Sequence, residues 1–494
     1  MKKGDILEGT IEKVVFPNKG VLHADSKTVI VKNGVPGQKV RFSITKLRHG
    51  KAEGRILEVL EKAANELPEP ACRHFGSCGG CSYQNLPYQD QLVLKQCQVE
   101  WLLSPVIPHW DHVFEGILPS PQQFGYRNKM EFTFGDEVKD GPLSLGMHKR
   151  GSFYDIVPVT DCQIVSEDFR KVLRATLSFF QERKTPYYHR MRHEGYLRHL
   201  LVRQAANTGE MLVDLVTTGT SARDACGISE EEEKECLAAF SACLQSLPLD
   251  GKLAGILHTV NDSLADTIQN DGTTVLFGQD YFEEVLLGLK FKISPFSFFQ
   301  TNSLGAEVLY QKVREYAGSF GEAPVLFDLY SGTGTIAQIL SPAAGKVVGV
   351  EIVPEAVEAA KENAARNHLD NCSFLCGDVL KVLDEVEEKP DYIILDPPRD
   401  GIHPKALKKI IAYNVPAMVY VSCKPTSLQR DLVPLQAAGY EVVRCCCVDM
   451  FPATANVETV CLLSKLSETK NHISVKVDMD EMDVTATESK ATYQ

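Results

Sequence analysis

Between residues 291 and 465 short apolar runs alternate with helical stretches, and no other feature limits the fold of this chain as tightly. The runs read VLFDLYSG, KVVGVEIV, SFLCGDV, DYIILDPPR, MVYVSCK and TVCLLSKL. Strands separated by helices pair in parallel, because each crossover must return the chain to the same end of the sheet. The expected fold class is α/β, with a Rossmann-like doubly wound sheet. Ligands of such sheets bind beyond the carboxyl ends of the strands, so the residues closing each run are the first candidates for a site.

Those residues form a series. The first run closes on Asp328-Leu-Tyr330-Ser-Gly332-Thr-Gly334-Thr335, a turn whose glycines let a ligand approach the backbone. The second closes on Glu351, an acid placed to take ribose hydroxyls. Asp378 follows the third, where an adenine amino group is expected, and Asp396-Pro397-Pro398-Arg399 follows the fourth. The turn departs from GxGxxG, which disfavours a dinucleotide. The whole order resembles class I S-adenosylmethionine methyltransferases, whose sulfonium cofactor brings a positive charge into a carboxylate-lined pocket.

The fifth run ends in Val421-Ser422-Cys423-Lys424-Pro425, which puts a thiol at the same crevice. Taken alone, a cysteine ending a strand is ordinary packing. Uracil C5 is a poor nucleophile, however, and thiolate addition to C6 is one chemical remedy, a role that suits Cys423. Lys424 and Arg399 are both candidates for favouring the thiolate. The C5 proton must then leave, and Glu458, at the start of the last run, is the candidate general base.

DLYSGTGT, LDPPRDG, VYVSCKPTSLQRDL and FPATANVE occur in the order and spacing of RNA uracil-5-methyltransferases, and the chain resembles that family from residue 4 to about 465. The resemblance implies nucleophile Cys423 and base Glu458. It carries cofactor contacts to Gln300, Tyr330, Thr335, Glu351, Asp378 and Asp396, the last being equally a candidate for orienting the uracil edge. Family members often have histidine two residues before the base, where this chain has Asn456, which puts a helper role there in doubt.

The rest of the chain divides in three. Residues 1–62 read as short strands broken by turns, a small β-barrel that looks like a TRAM domain; they hold 13 Lys and Arg against 7 Asp and Glu, in a chain of net charge −13. A basic barrel in an acidic chain points to RNA. Residues 63–290 read as a mixed α/β central domain, the methyltransferase domain follows at 291–465, and 466–494 is a polar acidic tail.

Cys72, Cys78 and Cys81 form a dense ligand set at the start of the central domain. By spacing alone the set suits zinc or iron-sulfur, with Cys162 and Cys97 as rival fourth ligands. The family resemblance implies a 4Fe-4S cluster on Cys72, Cys78, Cys81 and Cys162. Barrel, cysteine set and uracil chemistry together look like the branch acting on 23S ribosomal RNA, with tRNA as the alternative substrate.

The same resemblance implies RNA contacts from Tyr126-Arg127-Asn128-Lys129 and from the basic segment Arg183 to Arg203. A non-catalytic RNA-binding iron-sulfur protein on a methyltransferase fold is the rival class, and it would need neither Cys423 nor Glu458. Fifteen cysteines, an odd number, without an export signal or long apolar span argue for a cytoplasmic chain of thiols with no membrane partner.

Overall fold

Aliphatic and β-branched residues fill Val325–Leu329, Lys346–Glu351, Tyr392–Leu395 and Ala417–Ser422, and these strands are almost wholly buried. Such side chains suit a pleated surface covered on both faces. The computed structural model describes residues 1–48, 51–265, 267–318, 323–386 and 388–465, so the expected tail at 466–494 lies outside the described residues. Across the eight-stranded sheet the order is Cys372–Cys376, Lys346–Glu351, Val325–Leu329, Tyr392–Leu395, Ala417–Ser422, Glu458–Lys465, Tyr440–Val448 and Phe114–Leu118. The first five are parallel. Glu458–Lys465 runs antiparallel to both of its neighbours.

Alternate residues of each strand feed two cores. Ile394 and Val419 pack with Leu309 and Val313 of helix Ser303–Ala317 and with Ala360 of helix Pro354–Arg366. On the other face, Ile393 and Tyr420 meet Val99 and Leu103 of helix Tyr88–Leu103 and Leu428, Leu432 and Leu435 of helix Pro425–Ala437. Those last three leucines are fully buried, and each contributes on the order of 1.5–3 kcal/mol to stability.

Two elements from the segment read as central domain belong instead to this sheet. Phe114–Leu118 is its edge strand, paired in parallel with Tyr440–Val448, and helix Tyr88–Leu103 covers one face. The hairpin Phe282–Leu286 and Leu289–Ile293 also packs its Phe282, Phe291 and Ile293 into the methyltransferase core. A short apolar run carries no label for the sheet it will join, so sequence periodicity could not separate these from their neighbours.

The central domain proper is a seven-stranded sheet from Lys129–Asp136 to Gly272–Gly278. Helices Glu167–Glu182 and Glu230–Gln245 share a core with it, where Phe180 and Phe240 are completely buried. Residues 6–61 form a six-stranded sheet. Its strand Ile6–Thr10 curls towards Lys19–Ala24, where a Cβ on Gly9 would lie 3.1 Å from Leu22 Cδ1. The result is a half-barrel around Leu22, Val29, Val31 and Phe42. Among the described residues no helix is long and apolar enough to cross a membrane.

Candidate active site

The turn after Val325–Leu329 is left-handed at Tyr330 (φ 68°), Gly332 (φ 54°) and Gly334 (φ 71°). Gly334 is required, because a Cβ there would lie 2.5 Å from Phe374 Cε1 in a backbone region that L side chains rarely adopt. Helix Thr335–Leu340 starts directly from it, and the Ala337 amide donates to Asp328 Oδ2 at 2.9 Å. Glu351 turns its carboxylate onto the same loop, accepting from the amides of Gly332 at 3.0 Å, Ile352 at 2.8 Å and Val353 at 2.9 Å. This fixes the acid before any ligand arrives.

Beyond these strand ends lies a cleft of about 1940 Å³, lined by Gln300, Tyr330, Thr335, Glu351, Asp396, Cys423 and Glu458. Seven of the eight residues expected at the reacting and cofactor centre thus meet in one place. Asp378 is the exception. It is outside the cleft lining, and its carboxylate caps helix Val379–Glu385 by accepting from the Leu380 amide at 2.9 Å. Its charge still adds to the rise of the Tyr330 phenol, which burial pushes up to about 12.

Burial and mutual repulsion raise three ionisable groups of the cleft. Burial pushes Asp396 up to about 7. Glu458 is pushed up to about 8, first by burial and then by the charge of Asp396, with Arg399 opposing. Cys423 rises to about 11 through burial and the charges of Glu458 and Asp396, and Arg399 again opposes. Arg399 Nη2 donates to Asn456 Oδ1 at 3.4 Å. Asn456, two residues before Glu458, therefore anchors the cation that favours both charged forms. Of the two cations read as partners of the thiol, Arg399 is the one whose charge reaches Cys423; Lys424 pairs with Asp400 at 3.7 Å.

Buried acids and orphaned polar atoms around the glycine turn fit a cationic cofactor. Asp328 is fully buried and pushed up to about 8 by burial and by Asp396, and its Oδ1 and the Oγ of Ser331 have no hydrogen-bond partner. A bound positive charge lowers every one of these carboxyls. Tyr310, a lining residue that sequence reasoning missed, is held by a hydrogen bond to Gln300, and burial raises its phenol. Only its position on the buried face of helix Ser303–Ala317 marked it, and that reads as core.

The basic segments are partly structural. Arg198 is buried and donates to the carbonyls of Asn261, Ser263 and Ala265. Arg203, also buried, donates to those of Ser294, Pro295 and Ser297, just ahead of Gln300. Tyr126 and Asn128 are buried as well, bonded to the carbonyls of Pro452 and Gln300. The family resemblance places these four among the RNA contacts, yet their side chains clamp loops; charge counted along a sequence does not reveal burial. Arg127 does line the cleft.

Cys72, Cys78, Cys81 and Cys162 lie within electrostatic reach of one another. Burial pushes Cys81 up to about 11, with Cys78 and Cys72 adding to the rise, and Cys162 up to about 12, with Cys81, Cys72 and Cys78 adding to it. Cys97 stands apart in helix Tyr88–Leu103, raised by burial and Glu100 alone. The expected ligand set does not close, because among the described residues no group of three or more His, Cys, Asp or Glu is arranged to hold a metal ion.

The sheet order and the acid-lined cleft over a glycine turn define a class I S-adenosylmethionine-dependent methyltransferase. Residues 265–466 match the family model described as tRNA (Uracil-5-)-methyltransferase. An uncharacterized RNA methyltransferase of Clostridium tetani is 48% identical over 461 residues, 93% of this chain and 98% of the relative. One from Caldanaerobacter subterraneus is 46% identical over 94% of this chain and 100% of the relative. Among solved structures, the Pyrococcus abyssi tRNA (uracil-54, C5)-methyltransferase in complex with S-adenosyl-L-homocysteine is similar, with TM-score 0.69 and 25% identity over 92% of this chain and 100% of that one. The chain belongs to the RNA uracil-5-methyltransferase family and is an S-adenosylmethionine-dependent RNA methyltransferase.

Proposed function

We propose that this enzyme methylates C5 of a uridine through a covalent bond between Cys423 Sγ and C6 of the base. One observation carries the reading: a thiol and a buried carboxyl line the same cleft as Glu351 and the glycine turn. Methylation of an exocyclic amine uses the nitrogen lone pair and would leave both groups idle.

Arg399 favours the thiolate of Cys423, which adds to C6 and drives the C5=C6 electron pair onto C5 and O4. Bound S-adenosylmethionine supplies an electrophilic methyl group to that carbon. Glu458 then takes the C5 proton, the double bond re-forms, and the S–C bond breaks to return the thiolate. Asp396 orients the uracil edge. Gln300, Tyr330, Thr335 and Glu351 hold the cofactor, with Asp378 positioning the helix behind Tyr330. A base attacked on its face must be unstacked, so the target uridine is flipped or looped out.

The RNA class proposed is 23S ribosomal RNA, which the combination of half-barrel, cysteine group and uracil chemistry resembles, with the half-barrel as a TRAM-type RNA module. The enzyme works in the cytosol. A 4Fe-4S cluster on Cys72, Cys78, Cys81 and Cys162, which the family resemblance implies, would require these neighbouring thiols to draw closer than they lie here. One finding favours tRNA instead: the archaeal tRNA enzyme covers 92% of this chain, so possession of the N-terminal sheet does not by itself separate the two classes.

RNA carrying tritium at uridine C5 tests the chemistry. Tritium released to water in step with methyl incorporation is expected; methylation with full retention would overturn C5 as the site. Mass mapping of ribosomal and transfer RNA from cells with and without the gene tests the class. Loss of 5-methyluridine from 23S RNA is expected, and loss confined to tRNA establishes the second reading.

A further inference from the structure

Phe153, Tyr154 and Met191 stand on the central domain with 80%, 59% and 67% of their surface exposed. Single exposed apolar residues are ordinary, but three large ones on two adjoining loops mark a surface made to be covered.

Both loops are built rather than slack. In residues 149–155 the Lys149 amide donates to the carbonyl of Asp155 at 2.9 Å, and the amides of Tyr154 and Asp155 both donate to Ser152 Oγ at 3.2 Å. In residues 187–195 the His189 amide donates to the Glu194 carbonyl at 2.7 Å, closing a tight hairpin. The loops also brace each other. Arg190 Nη1 donates to the Phe153 carbonyl at 3.2 Å, Arg190 Nη2 meets His148 Nε2 at 2.9 Å, and the Tyr154 hydroxyl donates to Met191 Sδ at 3.6 Å. The aromatic rings are therefore displayed on a fixed frame, so little conformational freedom is lost when they are covered.

Charge and position say what covers them. Lys149, Arg190 and Arg192 stand on the same two loops as the rings, against the acids Asp155 and Glu194, and Asp155 lies 4.0 Å from Lys149. The antiparallel register Thr133↔Gly146 carries His148, and the loop after it, towards the Lys129 end of strand Lys129–Asp136. Arg127, two residues before Lys129, lines the catalytic cleft. Loop 187–195 enters strand Leu197–Gln204 from the opposite, Asp136 end, by the register His199↔Thr133, and reaches across to the first loop, so the patch runs along the edge of the central sheet with loop 149–155 on the side of Arg127. Aromatic faces interleaved with cations are how proteins hold unpaired bases, with rings stacking and cations on phosphates.

We propose that loops 149–155 and 187–195 form a second RNA-contact surface, where an unpaired base more than about five nucleotides from the target stacks on Phe153 or Tyr154 while Lys149 and Arg192 meet the adjoining phosphates. The inference rests on RNA being the substrate and is independent of which atom is methylated.

Binding by the full chain to a long uridine oligonucleotide and to pentauridine tests it without requiring turnover. The double variant Phe153→Ala/Tyr154→Ala is expected to weaken the long oligonucleotide roughly tenfold or more. Pentauridine, which fills the cleft alone, and S-adenosylmethionine should bind it as they bind the parent. Phe153→Trp should keep the parent affinity and show indole fluorescence quenched by the long oligonucleotide. Unchanged affinity of the double variant for the long strand would overturn the proposal and leave the patch to a protein partner. Equal weakening of long and short strands would also overturn it, since the loops would then act only through the cleft. Failure of the C5 chemistry would appear in tritium release and leave these binding results untouched.

Discussion

Lys95 Nζ lies 2.6 Å from Asp449 Oδ1, and both side chains are completely buried. The same ammonium donates to the Phe451 carbonyl at 2.9 Å. Ala453 is fastened just beyond, its carbonyl accepting from the Ser82 and Tyr83 amides at 2.7 and 2.9 Å and its amide donating to Gln91 Oε1 at 2.8 Å. The segment that leads into Glu458 is therefore anchored to the N-terminal third of the chain.

Removing one member of a buried pair leaves the other charge desolvated and unpaired. Lys95→Met is expected to cost about 3–5 kcal/mol of stability, read as a lowered denaturation midpoint. Lys95→Met/Asp449→Leu should recover much of it. A single variant as stable as the parent would show that the pair does not anchor the segment.

Glu458 gives a pH dependence whose sign follows from its burial. Its ordinary value is 4.5 and its folded value about 8, so the folded chain holds this proton across a window where the unfolded chain has released it. Stability contributed by the group therefore falls as pH rises from about 4.5 to about 8 and is flat above that. Glu458→Gln removes the effect. Its stability advantage over the parent should grow across that window and then level off, as measured by chemical denaturation; an advantage independent of pH contradicts the assigned burial.

Lys19 and Lys32 are exposed and directly opposite each other on adjacent strands of the half-barrel. Like charges so placed destabilise a sheet. By contrast Arg41 is neutralised by Glu8 and Glu58, and Lys39 by Glu61. Lys19→Ala/Lys32→Ala is expected to keep or raise thermal stability while weakening RNA binding, with the salt slope reduced by roughly 0.7 per lost phosphate contact. Titrations over a salt series check this, and an unchanged slope removes these lysines from the RNA interface.

Anaerobically purified protein is expected to be brown and to carry about four irons per chain. Cys162→Ser should lose the iron and Cys97→Ser should keep it, because Cys97 lies apart from the other four thiols. Iron and zinc analysis decides; stoichiometric zinc without iron contradicts the proposed cluster.

Much of the methyltransferase half was legible because each strand there ends in a residue of distinctive chemistry. Gly334, Glu351, Asp396 and Cys423 could be named as closing successive strands from the sequence alone, although the order of those strands across the sheet could not. Phe114–Leu118 was not legible, since Phe114 pairs with Cys445, more than three hundred residues further along the chain, and an edge strand carries no local signal of so distant a partner. Asp378 closes its strand as expected, yet a carboxylate at a helix start is drawn to its own backbone amides, and that competition cannot be read from position alone. Arg198 and Arg203 show the same limit for charge. A cation in a basic run reads as surface until the carbonyls that bury it are known.

Trapping of the covalent intermediate tests the central claim most directly. RNA containing 5-fluorouridine offers C5 a fluorine that Glu458 cannot remove as a proton, so after methyl transfer the Cys423–C6 bond should persist. The parent enzyme is expected to form an adduct that survives a denaturing gel, with peptide mass spectrometry placing the RNA on Cys423. Glu458→Gln should accumulate the same adduct with ordinary uridine, and Cys423→Ala should form none and transfer no methyl. Full methylation by Cys423→Ala, or attachment of the RNA to another cysteine, would contradict the account.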